Sequence, residues 1–273
     1  MTIPRTRSRA PLPAEAGNAV HVGPEGLRGA FAKLLGQAQS SDHVFGSPLG
    51  PFTLGQRSHW LPRFAYFGPQ FSDASVRLAI YAGIDGSDAR STLALVRFIE
   101  RLILKPDLGH GLNLTFFPLV NPSGLETSSR FNARGVDLSR QHWNLSSEPE
   151  IELLAGDART RGYHGFVRIE AAPIVQLAAV LRSGSRMAQG TDLVLVPPAV
   201  DGEPFPTRWV VDANEAVTNG PLTLADDLIH GPFELALLVP NVWSEEVFTE
   251  AVVQVLRRFL VHFRSSYAYG IHL

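Results

Sequence analysis

Two aspartates three residues apart, Asp85 and Asp88, stand in a glycine-punctuated turn, IYAGIDGSDARST, over residues 80–92. An apolar strand pattern runs into this turn and a helix pattern leaves it, the junction where α/β proteins mount their chemistry. Carboxylates so placed suit three tasks. They can be oxygen ligands to a metal ion, acceptors for the free amides of a helix's first turn, or the remains of a site whose ligands have been replaced. Further on, a polar loop presents Arg130 and Asn132, and a turn at Gly135 leads to Asp137 and Arg140. Two guanidinium groups on loops at the carboxyl ends of strands suit a bidentate grip on an anionic ligand. They can equally pair with structural acids such as Asp137, Glu148 or Glu150.

The elements that must carry these residues alternate between strand and helix patterns, which predicts an α/β fold with a mostly parallel sheet. Near-continuous apolar runs at 75–84, 112–122 and 233–240 read as strands buried on both faces, with shorter strand-like runs at 165–172 and 191–198. Leu93, Val96, Ile99 and Ile103 fall on one face of a helix that Pro106 stops. The closing helix is capped by Ser244, carries Glu245 and Glu246 at its positive end, and shows an apolar stripe from Val247 to Leu260. The Pro-, Gly- and Asp-rich stretch from 197 to 232 predicts irregular loops and a short hairpin. No internal repeat or interdomain linker is apparent, so residues 21–273 read as one domain behind a disordered lead of residues 1–20.

Composition narrows the partners. The 273 residues are 45% hydrophobic, enough for a sizeable core. A formal net charge of −2 without a basic stripe argues against nucleic acid and anionic membrane surfaces. There is no cysteine, which excludes disulfides, thiolate metal ligands and a cysteine nucleophile. No run of eighteen apolar residues occurs and the start lacks the apolar core of a signal peptide, so a cytoplasmic location is expected. The histidines are scattered without a helical His-x-x-x-His pair, Ser183-Gly184-Ser185 lacks the strand–elbow–helix context of a hydrolase nucleophile, and no phosphate-binding glycine loop is present. Oligomeric state is open.

The stretch FFPLVNPSGLETSSRFNARGVDLSRQHW, residues 116–143, resembles the zinc carboxypeptidase family, including its succinylglutamate desuccinylase and aspartoacylase branch. The resemblance rests on Asn121, Pro122 and Gly124, then Arg130 and Asn132, then Gly135, Val136, Asp137, Leu138 and Arg140, in order and at the family's spacing. SSEPE at 146–150 matches the family's acidic helix start. The resemblance extends over roughly residues 50–262 and implies a three-layer α/β/α sandwich with a mixed, mostly parallel central sheet. It also implies that Arg130, Asn132 and Arg140 bind substrate, a small carboxylate, acyl-amino acid or peptide.

For the opening turn, the resemblance implies zinc ligands. The family's Gly-x-His-Gly-x-Glu turn falls on GIDGSD, with Asp85 in the histidine position and Asp88 in the glutamate position. The later ligand histidine falls on Glu170, while His164 lies before that strand. The metal set becomes Asp85, Asp88 and Glu170, three carboxylates that suit a harder cation such as Ca²⁺, Mg²⁺ or Mn²⁺ better than zinc. The family's general base falls on Leu238 when Pro240 anchors the match, or on Glu234 in the alternative register, and Ser139 replaces the asparagine before Arg140. The expectation is therefore a carboxypeptidase-like protein with a degenerate metal site, non-catalytic and without a cofactor, which holds a carboxylate through Arg130 and Arg140. The alternative is an active metal-dependent amide hydrolase with one divalent ion on the three carboxylates and Glu234 as base.

Overall fold

The computed structural model describes residues 24–72, 75–182, 195–200, 202–211, 227–228 and 232–270. The expected lead at 1–20, residues 191–194 of the expected run at 191–198, and Ser183-Gly184-Ser185 lie outside the described residues. Helix α1 (Pro24–Gln39) leads into β1 (Val44–Gly46), a hairpin of β2 (Leu49–Leu54) and β3 (Arg57–Leu61), and β4 (Phe64–Phe67). The parallel core follows as β5 (Val76–Tyr81), α2 (Ala89–Leu104), β6 (Leu112–Phe117), the short α3 (Pro122–Glu126), α4 (Pro149–Arg161) and β7 (Gly165–Ala172). Strands β8 (Ala178–Arg182), β9 (Arg208–Val211) and β10 (Phe233–Pro240) precede the long closing helix α5 (Glu245–Gly270).

Among the described residues, eight strands form one sheet in the order β1-β4-β6-β5-β7-β10-β8-β9, and β2-β3 pair separately. The four central strands, β6, β5, β7 and β10, run parallel, while β4 and β8 join them antiparallel from either side. This is the mixed, mostly parallel sheet expected from the alternating patterns. Side-chain alternation divides it into two faces. Leu78, Ile80, Val167, Ile169, Leu235 and Leu237 face α1, α2 and α5, where Leu34, Leu93, Val96, Phe248 and Phe259 complete one core. Ala79, Tyr81, Phe117 and Phe166 face α4, against Ile151, Leu154, Ala155 and Ala158. Further along that second face, Ala178, Val180, Val210, Ala236 and Leu238 form a smaller apolar cluster.

The strands at 76–81, 112–117, 165–172 and 233–240 fall on four of the five expected runs, because burial on both faces leaves no other pattern open to them, whereas the described part of the fifth, residues 195–198, is not strand. Ser244 sits at the start of α5, its hydroxyl accepting from Val247 N at 3.4 Å. Within the stretch expected to hold loops and a short hairpin, β9 joins the main sheet parallel to β8. Helix α1, strands β1 to β4 and strand β8 carry no pattern that stands out in the sequence. Among the described residues no helix is long and apolar enough to cross a membrane.

Candidate functional site

Strands β5, β7 and β10 bring Tyr81, Ala172 and Pro240 to one edge of the sheet. The turn after β5 is laced to the segment after β6: Ala82 N donates to Phe117 O (3.0 Å), Val120 N to Ala82 O (3.1 Å) and Asn121 N to Gly83 O (2.8 Å). Its glycines have separate reasons. Gly83 has φ +62°, a left-handed conformation that a side chain would strain. A Cβ on Gly86 would lie within 2.5 Å of Gly124 Cα and Ser129 O, so the two turns touch through backbone alone. Asn121 is the knot between them. Its Oδ1 accepts from Gly124 N (2.8 Å), capping α3, while its Nδ2 donates to Ile84 O (3.3 Å) and Arg130 O (3.2 Å).

The two aspartates of the turn divide their work. Asp85 Oδ1 accepts from Ser87 N (2.9 Å) and Ser87 Oγ (2.5 Å), closing the turn on itself. Asp88 is the N-cap of α2, with Oδ1 accepting from Ser91 N at 3.2 Å. Its Oδ2 accepts from the Ser91 hydroxyl and, at 2.8 Å, from Ala171 N near the end of β7. Both oxygens are thus committed, and burial raises the carboxyl's pKa above the usual range. A cavity of about 210 Å³ opens here, lined by Asp85, Ser87, Asp88, Ala89, Arg90, Ala171 and Asn241. Arg90 is tied into its wall by donation to the carbonyls of Asn241 (2.8 Å) and Trp243 (3.2 Å).

Glu170 lies on the face of β7 that also carries Arg168, and that arginine meets it: Arg168 Nη1 is 3.0 Å from Glu170 Oε1. Burial pushes the Glu170 carboxyl up, with Arg168 pulling it down and the charges of Glu234, Asp88 and Asp85 pushing it further up. Directly across the sheet, the partner of Glu170 on β10 is Leu238, while Glu234 pairs with Phe166 four residues deeper. Glu234 is 2% exposed and accepts a hydrogen bond from the Tyr81 hydroxyl at 2.7 Å. The residue opposite Glu170 is therefore aliphatic, and the only acid on β10 sits in the interior. His164 stands at the other end of β7, its Nδ1 accepting from Arg77 N (3.1 Å), remote from Glu170.

A metal needs several donors converging with free lone pairs. Asp85, Asp88 and Glu170 gather at one sheet edge, but both oxygens of Asp88 already accept hydrogen bonds and Glu170 is paired with a guanidinium. Among the described residues no group of three or more His, Cys, Asp or Glu could hold a metal ion. The carboxylate set expected for a hard cation does not fit one.

Arg130 and Arg140 both converge on Asp137. Arg130 donates through Nε at 2.8 Å, and Arg140 Nε lies 3.4 Å from the same oxygen. Their side chains remain 42% and 62% exposed. Neither lines the cavity beside Asp85 and Asp88. Asn132 has a different task from the one expected. It is 5% exposed; its Oδ1 accepts from Arg134 N and Val136 N (both 3.0 Å), and its Nδ2 donates to Glu148 (2.6 Å), with Glu150 at 3.5 Å. That amide holds the loop to the start of α4 and has no capacity left for a ligand. Arg90, Arg168 and Tyr81 were not singled out by sequence. The signal for Arg168 was present: Arg-x-Glu in a strand buried on both faces must be internally paired.

No protein-family model and no curated protein matches the chain in sequence. Solved structures do match it in shape. A metallo-carboxypeptidase from Burkholderia cenocepacia superposes with a TM-score of 0.64 at 17% identity, covering 89% of this chain and 69% of that one. A metallo-carboxypeptidase from Pseudomonas aeruginosa, in complex with (2-guanidinoethylmercapto)succinic acid, gives 0.61 at 18%, covering 88% and 69%. An aspartoacylase family protein from Mesorhizobium loti gives 0.56 at 14%, covering 81% and 67%.

Proposed function

We propose that this chain, which has the fold of the metallo-carboxypeptidases and aspartoacylases, is a non-hydrolytic binding protein for a small carboxylate-bearing ligand and works without a resident metal. The observation that carries this reading is Asp88. It occupies the position of a zinc ligand in the resemblance, yet both of its oxygens are committed to Ser91 and Ala171. A hydrolase of this kind needs a metal-activated water and a base beside it; here Leu238 stands opposite Glu170 and Glu234 is buried beneath.

The ligand class follows from Arg130 and Arg140. Two half-exposed guanidinium groups around one carboxylate, Asp137, retain donors for a second anion, such as a dicarboxylate, an acyl-amino acid or a peptide carboxyl terminus. The succinic acid derivative held by the Pseudomonas neighbour is of the same chemical class. A cytoplasmic, soluble role is the setting we assign to it.

The test has two arms. Protein purified without chelator should contain zinc far below one equivalent and leave acyl-amino acid and peptide substrates intact; stoichiometric zinc with turnover would sink the reading. Titration calorimetry with succinate and N-acetyl amino acids should detect binding that falls at least about tenfold in Arg130→Gln/Arg140→Gln, the loss of a charge-assisted pair. Binding unchanged by that double variant would remove these arginines from the ligand site.

A further inference from the structure

Below the edge that carries Asp85 and Asp88, one face of the sheet holds a buried group of charges: Arg168 and Glu170 on β7, Glu234 on β10, and the hydroxyl of Tyr81 on β5. Arg168 lies beside Tyr81 on one side and Ala236 on the other, so its guanidinium sits between the two acids. Its Nη1 is 3.0 Å from Glu170 Oε1, and its Nε is 3.8 Å from Glu234 Oε1, which also receives the Tyr81 hydroxyl at 2.7 Å. The side chains of Arg168 and Glu234 are 9% and 2% exposed, and that of Glu170 is 24% exposed at the rim. Across β10, Arg182 is the register partner of Glu234.

Two carboxylates this far inside a sheet face need a compensating cation, since an isolated buried charge is strongly unfavourable. In a metal-bearing site at this edge, the ion would provide that charge and tie the strand ends together. We infer that the Arg168 guanidinium is the chain's internal replacement for such a cation, joining β5, β7 and β10 through Glu170, Glu234 and Tyr81 and neutralising Glu170 through its Oε1. The inference rests on the metal-free part of the reading above. It concerns the charge that holds the sheet edge, not the ligand at Arg130 and Arg140.

The experiment follows thermal unfolding of the full chain with chelator and with added Ca²⁺, Mn²⁺ or Zn²⁺. The wild type should respond equally little to all of these. Arg168→Met should lower the midpoint by about 10 °C, the order expected when one partner of a buried pair is removed. Glu170, left without its guanidinium while Arg182 still lies near Glu234, should then make that variant respond to a divalent cation by a few degrees more than the wild type does, about what binding well above Kd gives. A variant response no larger than the wild type's overturns the inference. The double variant Arg168→Met/Glu170→Gln separates charge from packing, because Arg182 still balances Glu234 in it. It should regain most of the lost midpoint, since a balanced set needs no further cation, and a double variant no more stable than Arg168→Met overturns the inference. If Arg168→Met does not fold at all, the double variant decides alone: folded, it supports the counter-charge, and unfolded, it refutes it. Zinc content and turnover of the wild type are measured separately, so failure here is distinguishable from failure of the proposed function.

Discussion

Glu150 is fully buried at the first turn of α4, beside Glu148 and the Asn132 amide, and its Oε2 has no hydrogen-bond partner among the described residues. Burial raises its pKa, the Asn132 hydrogen bond partly opposes this, and the charge of Glu148 adds to it. A carboxyl whose folded-state pKa is raised contributes stability fully below its unfolded pKa, and that contribution is lost as pH rises through the folded value. Glu150→Gln removes the ionisation while keeping the shape. Urea unfolding should find the variant and wild type close at about pH 4, with the variant pulling ahead as pH rises, by about 1 kcal/mol at neutral pH. A gap that does not widen with pH would show that Glu150 is ionised at no cost. The same logic makes Asp88 legible from sequence in part: an acid before an apolar stripe is a cap by its chemistry, but its second bond, to Ala171, depends on a strand eighty-three residues away.

At the level of elements, the turn after β5 and the Asn-Pro-x-Gly segment after β6 form one unit, joined by the Asn121 side chain and by backbone contact at Gly86 and Gly124. This unit sets where Asp85, Asp88 and the Arg130 loop lie. Gly86→Ala would place a methyl group against backbone that cannot swing aside, and should cost about 1–3 kcal/mol, as overpacking does. Hydrogen exchange should rise in both 82–88 and 121–132 together. Faster exchange in 82–88 alone would mean the two turns are not coupled. The short motif was readable because its residues are specified by tight local geometry. Its role as a joint was not, because the contact is between glycines, which leave no side-chain pattern.

Over the whole molecule, two cores share one sheet, so neither can open without exposing the other's strands. Trp143 reports on the α4 side, packed edge-on against Phe166 at 5.2 Å, while Trp209 stacks on Phe259 on the opposite side. Tryptophan fluorescence from Trp143→Phe and Trp209→Phe variants should therefore give coincident denaturant midpoints, matching far-UV circular dichroism. Midpoints that separate would divide the molecule into independently melting layers. The sequence by itself determined the α/β class, the four central strands, helices α2 and α5, and the resemblance of 116–143 to zinc carboxypeptidases, because burial period, caps and turn residues are local properties of the chain. It also placed Asp85, Asp88 and Glu170 at the positions where that resemblance puts metal ligands. Only the tertiary structure decided what those acids do. Pairing across β5, β7 and β10 sets Arg168 against Glu170 and Leu238 opposite it, and brings Ala171 N to Asp88. Whether a carboxylate has a lone pair to offer depends on neighbours distant in sequence, and those neighbours are chosen by strand register.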